Sequence, residues 1–350
     1  MKTHVLSSTL LAAGLALALP GATLAQAGLP SKGSPEHIRA VTSRIDSQSI
    51  RDNARSSKDW PSYGMDYSET RFSKLRQLDT ANVKRLGLVW SYDLESTRGV
   101  ESTPLVVDGI MYVTASWSVV HAVDVRTGKR IWSFDPKVPR EAGYKGCCDV
   151  VNRGVALFEG KVFVAAYDGR LIALDAATGE KVWEKDTIID RKFSYTITGA
   201  PRVVKGKVII GNGGAEFGVR GYVAAYDADS GEELWRFYTV PDDPAKGKQK
   251  TPELERAVKT WGKDWHSKTN GCGSVWDGMT YDAKLHQLYI AVDGPAPWIP
   301  TLRGKGAGDE LYTNSVVALD ASTGKYLWHY KQTPNDGWNY SPNAPLMLAE

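Results

Sequence analysis

Cysteine is scarce in this chain of 350 residues: there are three, Cys147, Cys148 and Cys272. An odd number leaves at least one thiol free or paired outside the chain. No C-x-x-C-H occurs, so no covalently held c-type haem belongs to this stretch. Charge of one sign is also scarce. Lys and Arg number 43 against 40 Asp and Glu, a net charge of +3. That balance excludes a nucleic-acid binder or a polybasic membrane binder. Long apolar runs are missing: the one at residues 10–19 is about half the roughly 20 residues a span needs, and no later stretch reaches that length. No transmembrane segment is therefore expected. There is no G-x-G-x-x-G leading into a helix, which argues against a dinucleotide site. With 42% hydrophobic and 24% charged residues, disorder, collagen and coiled coil are excluded too.

Residues 1–27 carry a cation at Lys2, the short apolar run, and then Ala25-Gln26-Ala27. That order is the pattern of a secretory signal peptide, with a membrane anchor as the alternative. The remaining 28–350 would then be a secreted domain, periplasmic in a Gram-negative source, where disulfides are permitted.

Tryptophan, tyrosine and glycine are plentiful, at 12, 16 and 34. Four segments share the pattern A-x-D-x-x-[ST]-G-x-x-x-W: residues 122–132, 173–183, 225–235 and 318–328. Their tryptophans are spaced by 51, 52 and 93, and Trp90 precedes the series by 42. Self-similarity near 50 residues marks a solenoid or propeller. The interval of 93 predicts one degenerate unit hidden between Trp235 and Trp328.

Runs at 110–114, 161–166, 207–211 and 287–292 are rich in β-branched or aromatic residues and bounded by Gly or Asp, as strands are. Asp-x-x-Thr-Gly is turn chemistry, because Asp caps backbone amides and Gly supplies positive φ. Only 252–261 looks helical. The expected fold is all-β, a propeller of four-stranded blades with docking tryptophans. From Trp90 to Trp328 there is room for five or six blades. An incomplete ring exposes edges, so the chain is expected to be the N-terminal piece of a longer propeller.

Adjacent Cα atoms lie about 3.8 Å apart, below the usual disulfide range of roughly 4.4–6.8 Å. By that argument a bond between Cys147 and Cys148 is strained, and two reduced core cysteines are the expectation over a disulfide. The glycine-dense run at 211–219 leads into Glu216; it reads either as a blade-top loop or as a carboxylate held where backbone approaches a ligand. Trp276, in N-G-C-G-S-V-W-D, is either another blade tryptophan or an indole face for a flat cofactor.

Together, the CysCys followed by Asp-Val-Val-Asn-Arg, the Gly-Gly-Ala-Glu stretch and the tryptophan repeats resemble the pyrroloquinoline quinone (PQQ)-dependent alcohol dehydrogenases. The resemblance begins near D-W-P-S-Y-G at 59–64, includes 71–73 and 82–90, and runs to the end. It implies a periplasmic eight-bladed propeller holding PQQ and a calcium ion, or a lanthanide in one branch. It also implies a Cys147–Cys148 disulfide over one cofactor face, against the reading from geometry. Glu101 and Arg153 match quinone contacts, Thr198 a group near a cofactor carboxylate, and Gly214 and Ala215 backbone contacts. Glu216 matches a metal ligand, Ser274 stands where threonine is usual, and Trp276 matches the indole stacked on the other face.

Two positions depart. The second metal ligand of the family is an Asn where this chain has Gly294, and Asp293 is the oxygen donor nearest to it in sequence. The catalytic aspartate of the family is Asn339 here. Calcium takes six to eight oxygens, preferably anionic, and an amide cannot act as a general base. The implied function is oxidation of an alcohol or related small molecule by hydride transfer to PQQ, with a cytochrome c-type acceptor. One alternative is a quinoprotein hydroxylase or dehydrogenase acting on a cyclic amine C–H, where no alcohol proton has to be removed. The other is a propeller scaffold without cofactor.

Overall fold

In a computed structural model, residues 30–267, 269–304 and 308–349 are described. The signal peptide expected at 1–27 lies outside them. Four four-stranded antiparallel sheets form, each in simple sequential order. The first comprises β1 (Leu105–Val107), β2 (Ile110–Thr114), β3 (Val120–Asp124) and β4 (Lys129–Phe134). The second comprises β5 (Ala156–Phe158), β6 (Lys161–Ala165), β7 (Arg170–Asp175) and β8 (Lys181–Asp186). The third comprises β9 (Arg202–Val204), β10 (Lys207–Gly211), β11 (Tyr222–Asp227) and β12 (Glu233–Tyr238). The fourth comprises β13 (Met279–Asp282), β14 (Gln287–Val292), β15 (Ser315–Asp320) and β16 (Tyr326–Lys331). The four apolar runs of the sequence are the second strands of the four sheets.

The tryptophan repeat spans the turn from the third strand to the fourth. Trp132, Trp183, Trp235 and Trp328 pair with Ala122, Ala173, Ala225 and Ala318, and each register shifts just after the alanine. The alanine leaves room beside the indole. Asp175 Oδ1 accepts from the amides of Ala177 and Thr178 and from the Thr178 hydroxyl, and Asp227 and Asp320 do the same in their turns.

Each indole rests on the glycine of the following turn: Trp90 on Gly128, Trp132 on Gly179, Trp183 on Gly231 and Trp235 on Gly324. The Trp90, Trp132 and Trp183 indole nitrogens donate to the carbonyls of Val125, Ala176 and Ala228. Trp328 is 42% exposed. Gly179 has φ +74° and a Cβ there would lie 2.7 Å from the Trp132 ring, whereas Gly206, at φ +73°, faces open space. Both alanine substitutions incur the left-handed backbone penalty, and only one collides with a docked indole. Gly179→Ala is expected to lower stability by about 1–3 kcal/mol more than Gly206→Ala. Urea unfolding midpoints measure the difference, and equal losses would mean that the indole does not depend on that glycine.

The blade count differs from the expectation. Among the described residues there are four sheets rather than five or six, and the interval from Trp235 to Trp328 holds the strands of the fourth sheet alone, with no additional sheet. The long interval is filled by insertions at 239–278, which carry the helix α3 (Pro252–Val258), and at 293–314, which carry α4 (Pro300–Arg303). Trp90 docks like a blade tryptophan although no strand forms around it. The short α4 was not expected from the sequence, and neither were α1 (Pro35–Thr42) and α2 (Ser47–Ser56) before the first sheet. The latter two are short and polar, so their apolar periodicity is weak. Their signals are caps: Ser34 accepts from His37 N, and Asp46 with Ser49 forms a capping box. Ile38, Ile45 and Ile50 anchor this segment in the core of the first two sheets.

Third strands are buried along most of their length, while the fourth strand β8 is largely exposed. A strand inside the ring is covered on both faces by neighbouring sheets, and the outermost is not. The first strands β5, β9 and β13 lie side by side. The segments entering β1, β5 and β9 are linked in series: Thr103 N donates to Arg153 O and Arg153 N to Thr198 O, both at 2.9 Å. Because the sheets are antiparallel, the connections into first strands and those between second and third strands emerge at one end. The Asp-x-x-Thr-Gly turns lie at the other.

Candidate active site

The connections at that first end converge on a cavity of about 290 Å³. The segment from β4 to β5 contributes Cys147, Cys148, Val151 and Arg153, and the segment from β8 to β9 contributes Thr196 and Thr198. The loop after β10 contributes Gly213, Gly214, Ala215 and Glu216; Ser274 and Trp276 precede β13; Asp293 follows β14; Asn339 and Ser341 follow β16. Every site residue expected from the sequence lines this cavity except Glu101, which reaches it through Arg153. Val151, Thr196, Gly213 and Ser341 were missed. Thr196 and Ser341 lie two residues from expected positions, at the spacing that returns a side chain to the same face of an extended chain.

Arg153 organises one wall. Its Nη2 pairs with Glu101 Oε2 at 2.6 Å, and its Nη1 donates to Thr198 Oγ1 at 2.7 Å. Its guanidinium stands over the Trp276 ring, 4.6 Å from the centroid, a cation–π contact. The Trp276 indole nitrogen lies 3.0 Å from the Asn343 amide oxygen once that amide is oriented to satisfy its neighbours.

Cys147 and Cys148 are joined by a disulfide, which overturns the reading from Cα spacing and agrees with the resemblance. A compact link forms because Cys148 takes the left-handed conformation, at φ 68°. The next residue pins the turn: Asp149 accepts from Gly99 N at 2.9 Å and Val150 N at 2.7 Å, and pairs with Arg98. The Arg98 hydrogen bond, then those amides, pull its carboxyl down to about 2. Cys272 is buried and free, and burial pushes its thiol well above the usual range, with Asp293 and Glu216 adding to the shift. It is an inert core thiol.

The opposite wall is acidic. Asp293 is 4% exposed. Its Oδ1 accepts from Gly294 N at 2.7 Å and from the Ser341 hydroxyl, and its Oδ2 accepts from Ser274 Oγ at 3.1 Å. Burial raises its carboxyl above the usual range, the three donors oppose that, and Glu216 raises it further. Asn339 takes φ 57°, and its Oδ1 accepts from Ser341 Oγ at 3.2 Å. A Cβ added at Gly294 would lie 3.2 Å from Asn339 Oδ1 and 3.5 Å from Asp336 Oδ2. A larger residue at 294 would therefore press on this corner. Among the described residues no three His, Cys, Asp or Glu side chains group as metal ligands. The oxygens on this wall come from two carboxylates, an amide and hydroxyls.

Residues 60–350 match the family described as PQQ: Glucose/ethanol/alcohol dehydrogenase, beta-propeller domain. This chain belongs to that family. It is 56% identical over 327 residues to the quinohemoprotein alcohol dehydrogenase of Comamonas testosteroni, covering 93% of this chain and 46% of that protein. The crystal structure of the Comamonas enzyme superposes with a TM-score of 0.87 at 57% identity, over 89% of this chain and 46% of that one. The 1-butanol dehydrogenase (cytochrome c) of Thauera butanivorans is 53% identical over 296 residues, 83% of this chain and 42% of that protein. A europium-containing methanol dehydrogenase superposes with a TM-score of 0.75 at 35% identity, over 83% of this chain and 52% of that one. The chain thus spans about half the length of the curated PQQ dehydrogenases it matches. No described helix is long and apolar enough to cross a membrane.

Proposed function

We propose that this chain forms the PQQ-binding part of a periplasmic dehydrogenase oxidising an alcohol or related small organic substrate. The observation that carries this reading is the convergence of the disulfide, Arg153, Thr198, Glu216 and Trp276 on one cavity. The residues fit the group. A planar quinone bearing carboxylates needs flat apolar surface and cationic or hydroxyl donors. The Trp276 ring and the Cys147–Cys148 disulfide supply the first, and Arg153 and Thr198 the second. The volume is near the lower end of the roughly 300–1,000 Å³ typical of ligand pockets. Glu216, Asp293 and Asn339 offer the hard oxygens that calcium prefers, and the europium enzyme makes a lanthanide a second choice. Gly214, at φ 98°, has no room for a side chain against Ser194 O, so backbone can approach a ligand there.

Bound PQQ would supply the hydride acceptor, and the cation would polarise its carbonyl. The protein's part is orientation and charge. Arg153, fixed by Glu101 and Thr198, would present a positive charge to the quinone oxygens. The disulfide and Trp276 would cover the ring faces and keep water from them. The signal-peptide pattern at 1–27 supports export to the periplasm, and the name of the Thauera relative supports a cytochrome c-type electron acceptor. A cyclic amine is the second substrate class, favoured by the amide of Asn339 in the cavity, since a nitrogen lone pair can expel hydride without a base.

Uptake of PQQ by purified full-length protein with calcium tests the reading, followed by absorbance and tryptophan quenching. Arg153→Met is expected to weaken PQQ binding about ten- to hundredfold, since hydrogen bonds to charged groups contribute roughly 1.5–3 kcal/mol. A protein that takes up no PQQ would be a scaffold instead.

A further inference from the structure

We propose that Arg303 is a positioning residue that locks together the two segments carrying Asp293 and Asn339, so that the acidic wall keeps its shape. The proposal rests on the function proposed above only for what that wall binds. Arg303 and Glu310 are both fully buried. Their pairing is bidentate: Nε donates to Glu310 Oε1 and Nη2 to Oε2, each at 2.7 Å. The remaining donors reach backbone on two separate segments. Nη1 donates to the carbonyls of Pro297 and Trp298 at 2.9 Å, just beyond Gly294. Nη2 donates to the carbonyl of Asp336 at 2.8 Å.

Asp336 passes the constraint on. Its carboxylate accepts from Trp338 N and Tyr340 N at 2.8 Å and from Asn314 Nδ2 at 3.2 Å, which folds the turn on which Asn339 sits. The two segments meet where Gly294 faces Asn339 and Asp336. A buried ion pair is weak evidence of a stability role, because burying both charges is costly. A planar fork bridging one carboxylate and two backbone segments is instead a geometric device, and lysine cannot reproduce it.

The test uses full-length Arg303→Lys and Arg303→Met. Lys keeps a cation opposite Glu310 and so preserves the fold if Met does not. Hydrogen exchange of the apo proteins is the first readout. Amides at 298–303 and 338–341 should exchange at least about tenfold faster while those of the blade strands hold at the wild-type rate. The second readout is calorimetric titration of calcium in the presence of PQQ, which should show affinity about 10–100-fold weaker, as for other residues that orient metal ligands. Wild-type exchange in both segments, acceleration spread evenly over all strands, or unchanged calcium affinity would each overturn the proposal. If wild type itself takes neither PQQ nor calcium, the proposed function has failed, and the exchange pattern alone still decides whether Arg303 locks the two segments.

Discussion

Asn339→Asp is expected to raise primary-alcohol turnover of the full-length protein, loaded with PQQ and calcium, by about 10²–10⁴-fold, the usual contribution of a general base. Asn339 lines the cavity, and its left-handed backbone is one that aspartate also tolerates. The substitution therefore changes chemistry with little change of shape. A carboxylate there can accept the alcohol proton, which an amide cannot. It also adds a negative charge beside Asp293 and Glu216, which strengthens cation binding and penalises the cation-free state. Steady-state rates on a short primary alcohol and on a cyclic tertiary amine separate the readings. If wild type already equals the mutant on alcohols, another group such as Asp336 takes the proton. If wild type oxidises only the amine, the second substrate class replaces the first.

Arg202→Met is expected to destabilise the protein by about 3–5 kcal/mol near neutral pH, the usual result of stranding a buried charge. Arg202, Glu69 and Asp277 are all buried. Arg202 Nε donates to Glu69 Oε1 at 3.0 Å, Nη1 donates to Ala200 O at 2.7 Å, and Nη2 lies 4.0 Å from Asp277 Oδ1. Its guanidinium covers the Tyr63 ring at 4.0 Å, and the Tyr63 hydroxyl donates to Asp277 Oδ2 at 3.2 Å. Removing Arg202 leaves two buried carboxylates offset by the weaker influence of Arg71 and Arg153.

The pH dependence has a definite sign. Burial raises both carboxyls above the usual range, and Arg202 is the strongest influence pulling them back. Without it both rise further. The folded state then holds protons that the unfolded chain releases above about pH 4, so stability falls as pH rises through the folded values. The deficit of the mutant should therefore shrink between about pH 7 and about pH 5 in urea unfolding. A deficit that is constant over that range would mean that the carboxylates are not what the arginine compensates.

Much of the architecture was legible because its determinants are local. Alanine, aspartate, glycine and tryptophan of each repeat lie within a single turn and its two strands, so their spacing encodes the hairpin and the docking surface directly. The resemblance supplied the site in the same way, through short motifs around Cys147, Glu216 and Trp276. The expected blade count exceeds the four sheets described because equal spacing does not mean equal content. An interval can be lengthened by loops as well as by strands, and composition does not distinguish the two. The helices α1 and α2 escaped because they bury only a few isoleucines and are signalled by their caps.

The sequence by itself determined the four-stranded sheets, the tryptophan docking and the chemical identity of the site residues. Only the tertiary structure decided which of them share a cavity, and that Asp293 is buried between two hydroxyls; it also settled the bond between the adjacent cysteines in favour of the resemblance and against the Cα spacing. The same holds for the arginine pairs with Glu69 and Glu310. Turn chemistry acts between residues a few positions apart and leaves its mark in the spacing. Burial and charge pairing act between segments as distant as Glu69 and Arg202, 133 residues apart, and exist only once the blades have closed around them.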